Sequence, residues 1–161
     1  MKRKAFISYA MQDSEQYVLT LLSDLLRKEN FQIDSSFDNY SNIISQSAFK
    51  KITESSLFIG LITEYGNRNH NVFKEWKLAV EKRIPSILLI EDTVPINEQL
   101  AIHPNVLIFN RHYPQKGLNK VQKQIENAKR LVDKKRNENA LGWILGGAAA
   151  LAIISLLASD D

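Results

Sequence analysis

Leu57-Phe58-Ile59-Gly60-Leu61-Ile62-Thr63 and Ile84-Pro85-Ser86-Ile87-Leu88-Leu89-Ile90 are two almost uninterrupted apolar runs, separated by an amphipathic stretch at about 71–82. A strand that is apolar on both faces must be covered on both, which is the condition of a parallel sheet flanked by helices. Outward from these runs the same rhythm continues. Lys4 to Tyr9 reads as a first strand, and residues 14–29 carry Tyr17, Val18, Leu21, Leu22, Leu25 and Leu26 at the spacing of a helix face. Phe31 to Asp34 reads as a second strand, followed by a polar loop from Ser35 to Asn42 and a helix near 43–54 with Ile44, Ala48, Phe49 and Ile52 inward. Asn105 to Phe109 is the last strand, and a long helix from Gly117 to Arg136 aligns Leu118, Val121, Ile125, Ala128 and Val132 on one stripe. Five strands alternating with helices predict a doubly wound α/β domain with a five-stranded parallel sheet, whose ligands bind beyond the carboxyl ends of the strands. The residues expected there are Ser8 to Asp13, Asp34 to Ile43 and Thr63 to Asn71, with Glu75 one turn into the next helix.

Composition narrows the chemistry. With 161 residues, 44% apolar and 24% charged, the chain has the makings of one globular core rather than a disordered segment. The absence of Cys excludes disulfides, thiolate metal sites and Cys nucleophiles. Met1 to Ser8 is charged without the apolar run of a signal peptide, because Asp13 and Glu15 follow almost at once. His70, His103 and His112 are far apart and lack ligand spacing, so no metal site is expected. Nor is there a Gly-Lys-Ser/Thr loop for a nucleoside triphosphate.

Several segments, in this order, resemble the Toll/interleukin-1 receptor (TIR) domain family, particularly the members that cleave NAD. Phe6-Ile7-Ser8-Tyr9-Ala10 with Asp13 resembles the family's first box, and Ser55 to Thr63 its helix-to-third-strand segment. Asn71-Val72-Phe73-Lys74-Glu75-Trp76-Lys77-Leu78-Ala79 resembles the segment that carries the catalytic Glu, and Leu107 to Asn110 the last strand. The likeness spans about residues 3–130. It implies a flavodoxin-like sheet, NAD as substrate rather than as a retained cofactor, Glu75 as the catalytic carboxylate, and substrate contacts from Ser8, Tyr9, Ala10, Asp34, Phe37, Ile43, Thr63 and Asn71. There are departures. The aromatic residue that TIR enzymes often place four positions before the Glu is Asn71 here, the usual Gly of the loop after the second strand is Ser41, and the Arg after the box-one Tyr is Ala10.

Breaking the nicotinamide–ribose bond develops positive charge at the anomeric carbon, which a neighbouring carboxylate stabilises. Nicotinamide leaves as a neutral molecule, so one carboxylate suffices. Nucleoside deoxyribosyltransferases resemble the same region, with a Glu on the helix before a buried strand, and are the enzymatic rival. The alternative from another class is a non-catalytic TIR module that binds its own kind or senses a nucleotide and relays assembly to a membrane helix; Asn71 favours it, and Glu75 with Ala79 favours catalysis. Structural roles compete residue by residue. Glu75 reads otherwise as an exposed helical acid near Lys74 or Lys82, Asp13 as the cap of a helix starting at Ser14, and Tyr9 as core. Asp34, Asp38, Phe37 and Tyr40 divide between loop structure and substrate contact.

Residues 140–159 contain no charge, and as a helix they would span roughly 30 Å, the thickness of a bilayer core. Lys129, Arg130, Lys134, Lys135 and Arg136 precede this run, which argues against nucleic acid and, by the positive-inside rule, for a cytoplasmic domain. The expected organisation is a domain at 1–136, a linker at 137–139, a transmembrane helix at 140–159 and a short tail at 160–161. Gly142, Gly146 and Ala150 form a stripe along which two such helices could associate.

Overall fold

The computed structural model describes residues 3–9, 16–35, 44–64 and 69–134, with side chains to residue 130. The elements are β1 (Arg3–Tyr9), α1 (Gln16–Lys28), β2 (Phe31–Ser35), α2 (Gln46–Thr53), β3 (Leu57–Ile62), α3 (Asn69–Glu81), β4 (Ser86–Glu91), α4 (Glu98–Ala101), β5 (Val106–Phe109) and α5 (Gln115–Lys134). All strand pairs are parallel, in the order β2-β1-β3-β4-β5. The five-stranded α/β expectation holds. The segment 140–159 lies outside the described residues, and no helix among those described is long and apolar enough to cross a membrane.

Two cores follow from the two-residue alternation of the strands. On one face Phe6, Phe58, Ile62, Leu88 and Ile90 pack with α2, α3 and α4. On the other Ala5, Ile7, Ile59, Leu61, Ile87 and Leu89 pack with α1 and α5. β3 and β4 are buried throughout, as their apolar runs require. Each fully buried Leu, Ile or Phe contributes about 1.5–3 kcal/mol.

Local sequence sets the element ends. Ser45 caps α2 by accepting from Ala48 N–H at 3.1 Å, so the helix starts at Gln46 rather than near residue 43. Asn97 caps α4 in the same way through Leu100 N–H at 2.7 Å. Two residues beyond the ends of α1 and α3, Asn30 (φ 64°) and Arg83 (φ 57°) take left-handed backbone. Some inward expectations fail. Phe49 and Tyr17 are 45% and 63% exposed, because Ala48 with Ile52, and Val18 with Leu22, already fill the buried stripes of α2 and α1.

Candidate functional site

β1 and β3 are neighbours, and the helices that follow them, α1 and α3, lie on opposite faces, so the crevice beyond their carboxyl ends is the topological switch point of the sheet. α3 packs chiefly on β3 and also touches β1 and β4. It can come close because β3 carries Gly60, where a Cβ would lie 2.7 Å from Leu88 Cδ1 and 3.0 Å from Val72 Cγ1. Asn69, the first residue of α3, donates its side-chain N–H to the Thr63 carbonyl at 2.9 Å, tying the start of the helix to the end of β3. Trp76 fixes the rotation of the helix. It is fully buried, donates to Ser86 Oγ at 2.9 Å and meets the His103 ring edge-on at 5.7 Å.

This arrangement holds Glu75 at the margin of the buried stripe formed by Val72, Trp76 and Ala79. Glu75 is half-buried, and its Oε2 is shut off from solvent. α3 starts at Asn69, two residues earlier than the sequence spacing indicates, which puts Glu75 about 9 Å along the helix. Asn71, also half-buried, lies one turn before it on the same side. Lys82, a possible partner for Glu75 on sequence, instead sits over the Phe49 ring at 5.6 Å.

The residues expected at the site divide between the two faces of the sheet. Ser8 is buried and pairs with Gly60, and the half-buried Asp34 pairs with Phe6, so both share the face of Glu75. Tyr9 and Thr63 are on the other face. Tyr9 is half-buried against the α1/α5 core rather than within it, and burial there raises its pKa above the ordinary tyrosine value against the opposing effect of a Ser35 hydrogen bond. Thr63, only 3% exposed, lines a cavity of about 250 Å3 with Tyr17, Val18, Glu91, Phe109 and Arg111. The Thr63 hydroxyl and Asn69 Oδ1 are buried without a hydrogen-bond partner among the described residues. Ala10, Phe37 and Ile43, together with Asp13, Asp38, Tyr40 and Ser41, lie outside the described residues.

The strongest electrostatic feature of this edge is absent from the sequence reading. Glu91 ends β4 with its side chain fully buried, bonded by Arg111 through Nε and through Nη2 at 2.8 Å, and accepting from Glu64 N–H at 2.8 Å. The Arg111 hydrogen bond, aided by Glu64 N–H, Thr93 and the Arg111 charge, outweighs desolvation and lowers the Glu91 pKa. An acid placed directly after the apolar run Ile87 to Ile90, within the same strand, is the signal that could have found it. Among the described residues no group of His, Cys, Asp and Glu is arranged to hold a metal ion.

No protein-family model and no curated protein sequence matches the chain. Solved structures do resemble it. The Clostridium botulinum CMP N-glycosidase BcmB superposes with a TM-score of 0.53 at 18% identity, over 75% of this chain and 99% of that one. A 2-deoxyribosyltransferase from Bacillus psychrosaccharolyticus gives a TM-score of 0.48 at 14% identity, over 66% and 85% of the two chains. The TIR domains of the activated Roq1 resistosome, which recognises the pathogen effector XopQ, give 0.45 at 12% identity, over 96% and 84%. At these identities the likeness to the CMP N-glycosidase establishes the shared α/β fold.

Proposed function

We propose that the protein cleaves an N-glycosidic bond in a nucleotide, with NAD as the substrate and the nicotinamide–ribose bond as the one broken. One observation carries the reading: Glu75 is a carboxylate with an oxygen removed from water, on the helix beside the switch crevice. The N-glycosidase fold is compatible with it. In the proposed reaction the C1′–N bond breaks and its electron pair passes to the nicotinamide ring, which leaves neutral. Glu75 stabilises the cation developing at C1′, where a partly desolvated carboxylate acts more strongly than in water. Water then adds to C1′ and releases a proton, giving ADP-ribose; an adenine nitrogen of the same molecule in place of water gives the cyclic product. Ser8, Asp34 and Asn71 are proposed substrate contacts on the Glu75 face, and Thr63 and Tyr9 contacts from across the sheet edge.

The run at 140–159 is proposed to tether the domain to a membrane with residues 1–136 on the cytoplasmic side. Confinement there raises effective concentration, so weak contacts between domains and along the Gly142/Gly146/Ala150 stripe become populated, in keeping with a signalling or antiviral defence role. The likeness to a CMP N-glycosidase supports a second substrate, CMP, for the same carboxylate, with the departing cytosine taking a proton from water as the C1′–N bond breaks and hydroxide adding to C1′. The test is to incubate the full chain in lipid with NAD or CMP and to measure free nicotinamide and cytosine, alongside Glu75→Gln. Release of nicotinamide that disappears in the variant is the expected result. Cytosine release alone would move the assignment to CMP, and undiminished turnover in the variant would reject Glu75.

A further inference from the structure

The amino ends of the strands form the opposite end of the domain. Arg3, Phe31 and Leu57, which open β1, β2 and β3, and Pro85, just before β4, surround a cavity closed by Ala128 and Lys129 of α5. Residue 129 is therefore level with the base of the sheet. α5 continues to Lys134, running on past the sheet by roughly 7 Å at 1.5 Å per residue.

Exposed cations from three separate parts of the chain lie toward this end of the sheet. Lys28 closes α1, Arg83 follows α3 and Arg130 lies on α5; all three are exposed and make no ion pair among the described residues. Nearby cations behave differently, since Lys129 is paired with Glu29 at 2.5 Å and Lys4 with Glu54 at 3.5 Å. Cations near helix ends complement the macrodipole, but that does not account for Arg83. It occupies the left-handed position after α3 with φ 57°, where glycine is favoured and a long side chain is strained. At the same end Ile102, in the turn before β5, is 82% exposed.

From this arrangement we infer that the base of the domain docks on the headgroups of an anionic bilayer, through Lys28, Arg83 and Arg130 with Ile102 entering the interface. The occupant follows from charge and from chain direction. α5 leaves the domain at this face, and the sequence continues through Lys135 and Arg136 into the uncharged run 140–159. The inference rests in part on the tether proposed above, which would hold the base against the lipid. Docking then turns the carboxyl ends of the strands, and the candidate site, away from the membrane.

The chain has no cysteine, so single labels can be placed without background. Ser56→Cys marks the base and Asp92→Cys the opposite end; both positions are exposed. The labelled full-length protein is mixed with vesicles of phosphatidylcholine, with or without phosphatidylserine, that carry a headgroup quencher. The expected result is quenching at residue 56 but not at 92, dependent on phosphatidylserine and reversed by salt. The combined change Lys28→Gln, Arg83→Gly and Arg130→Gln should lower the docked-to-undocked ratio on the order of a hundredfold. Arg83→Gly relieves backbone strain, so a melting temperature no lower than that of the parent chain shows that the loss is not unfolding. Equal quenching at the two labels, or quenching indifferent to phosphatidylserine, would overturn the inference, as would saturable RNA binding at the base that abolishes lipid contact. Flotation separates the tether from the docking. A chain that fails to float with phosphatidylcholine alone has no tether, yet salt-sensitive recruitment by phosphatidylserine would still support docking, and no recruitment would end it.

Discussion

The two ends of the sheet solve opposite problems with polar residues. At the carboxyl end Ser8, Thr63 and Glu91 are buried, and Glu91 is held by a guanidinium and a backbone N–H. At the amino end Lys28, Arg83 and Arg130 stand in solvent. Burying polar groups has a desolvation cost that is recovered only through specific partners, so the first end is suited to a defined small ligand. Exposed charge interacts at longer range and with less geometric demand, so the second is suited to an extended surface.

The largest expected effect tests whether the carboxyl end does chemistry. Glu75→Gln should lower nicotinamide release a hundred- to a thousandfold while the melting temperature holds, since the swap keeps shape and loses charge. A fall in stability that accounts for the lost activity would make Glu75 a structural residue. Next in size is Arg111→Ala, which leaves the Glu91 carboxylate buried without its main partner and should destabilise the fold by about 3–5 kcal/mol in denaturant titration. The pH dependence has a defined sign. Because the Glu91 pKa is lowered in the folded protein, its contribution is present above the ordinary carboxylate value of 4.5 and is lost as pH falls through the lower folded value. Arg111→Ala should flatten that acid limb, and an unchanged acid limb would show that the pair does not couple to folding.

How much of this was legible in the sequence depends on whether a feature repeats along the chain or is made by pairing across it. The apolar runs of β3 and β4 and the stripes of α1 and α5 identified themselves, because periodicity is a local property. The α4 helix has four residues, too few to show a period. The Glu91–Arg111 bond joins positions 20 apart that meet only because β4 and β5 pair in register. Adjacent strand residues such as Ser8 and Tyr9 belong to one motif in sequence yet face opposite sides, which the two-residue repeat dictates. Ala10, Phe37 and Ile43 lie outside the described residues.

Smaller effects sharpen the contrast. Gly60→Ala should cost about 1–3 kcal/mol, because the added methyl group meets Leu88 and Val72 and pushes α3 outward. If α3 positions Glu75, turnover should fall in this variant by more than the loss of folded protein explains, and a proportional loss would argue against that positioning. At the base, Arg83→Gly should raise stability by about 0.5–1 kcal/mol in chemical denaturation, since glycine adopts φ 57° without strain. Destabilisation would mean that the Arg83 side chain contributes packing as well as charge.

Trp76 has a spectroscopic consequence. The sequence contains two tryptophans, Trp76 and Trp143, so a chain ending at Arg136 keeps one. That indole is wholly buried, donates a hydrogen bond to Ser86 and adjoins Glu75 in the helix. Its emission should therefore be blue-shifted and sensitive to any displacement of α3, giving a label-free optical signal for nucleotide titrations and for the kinetics of helix movement.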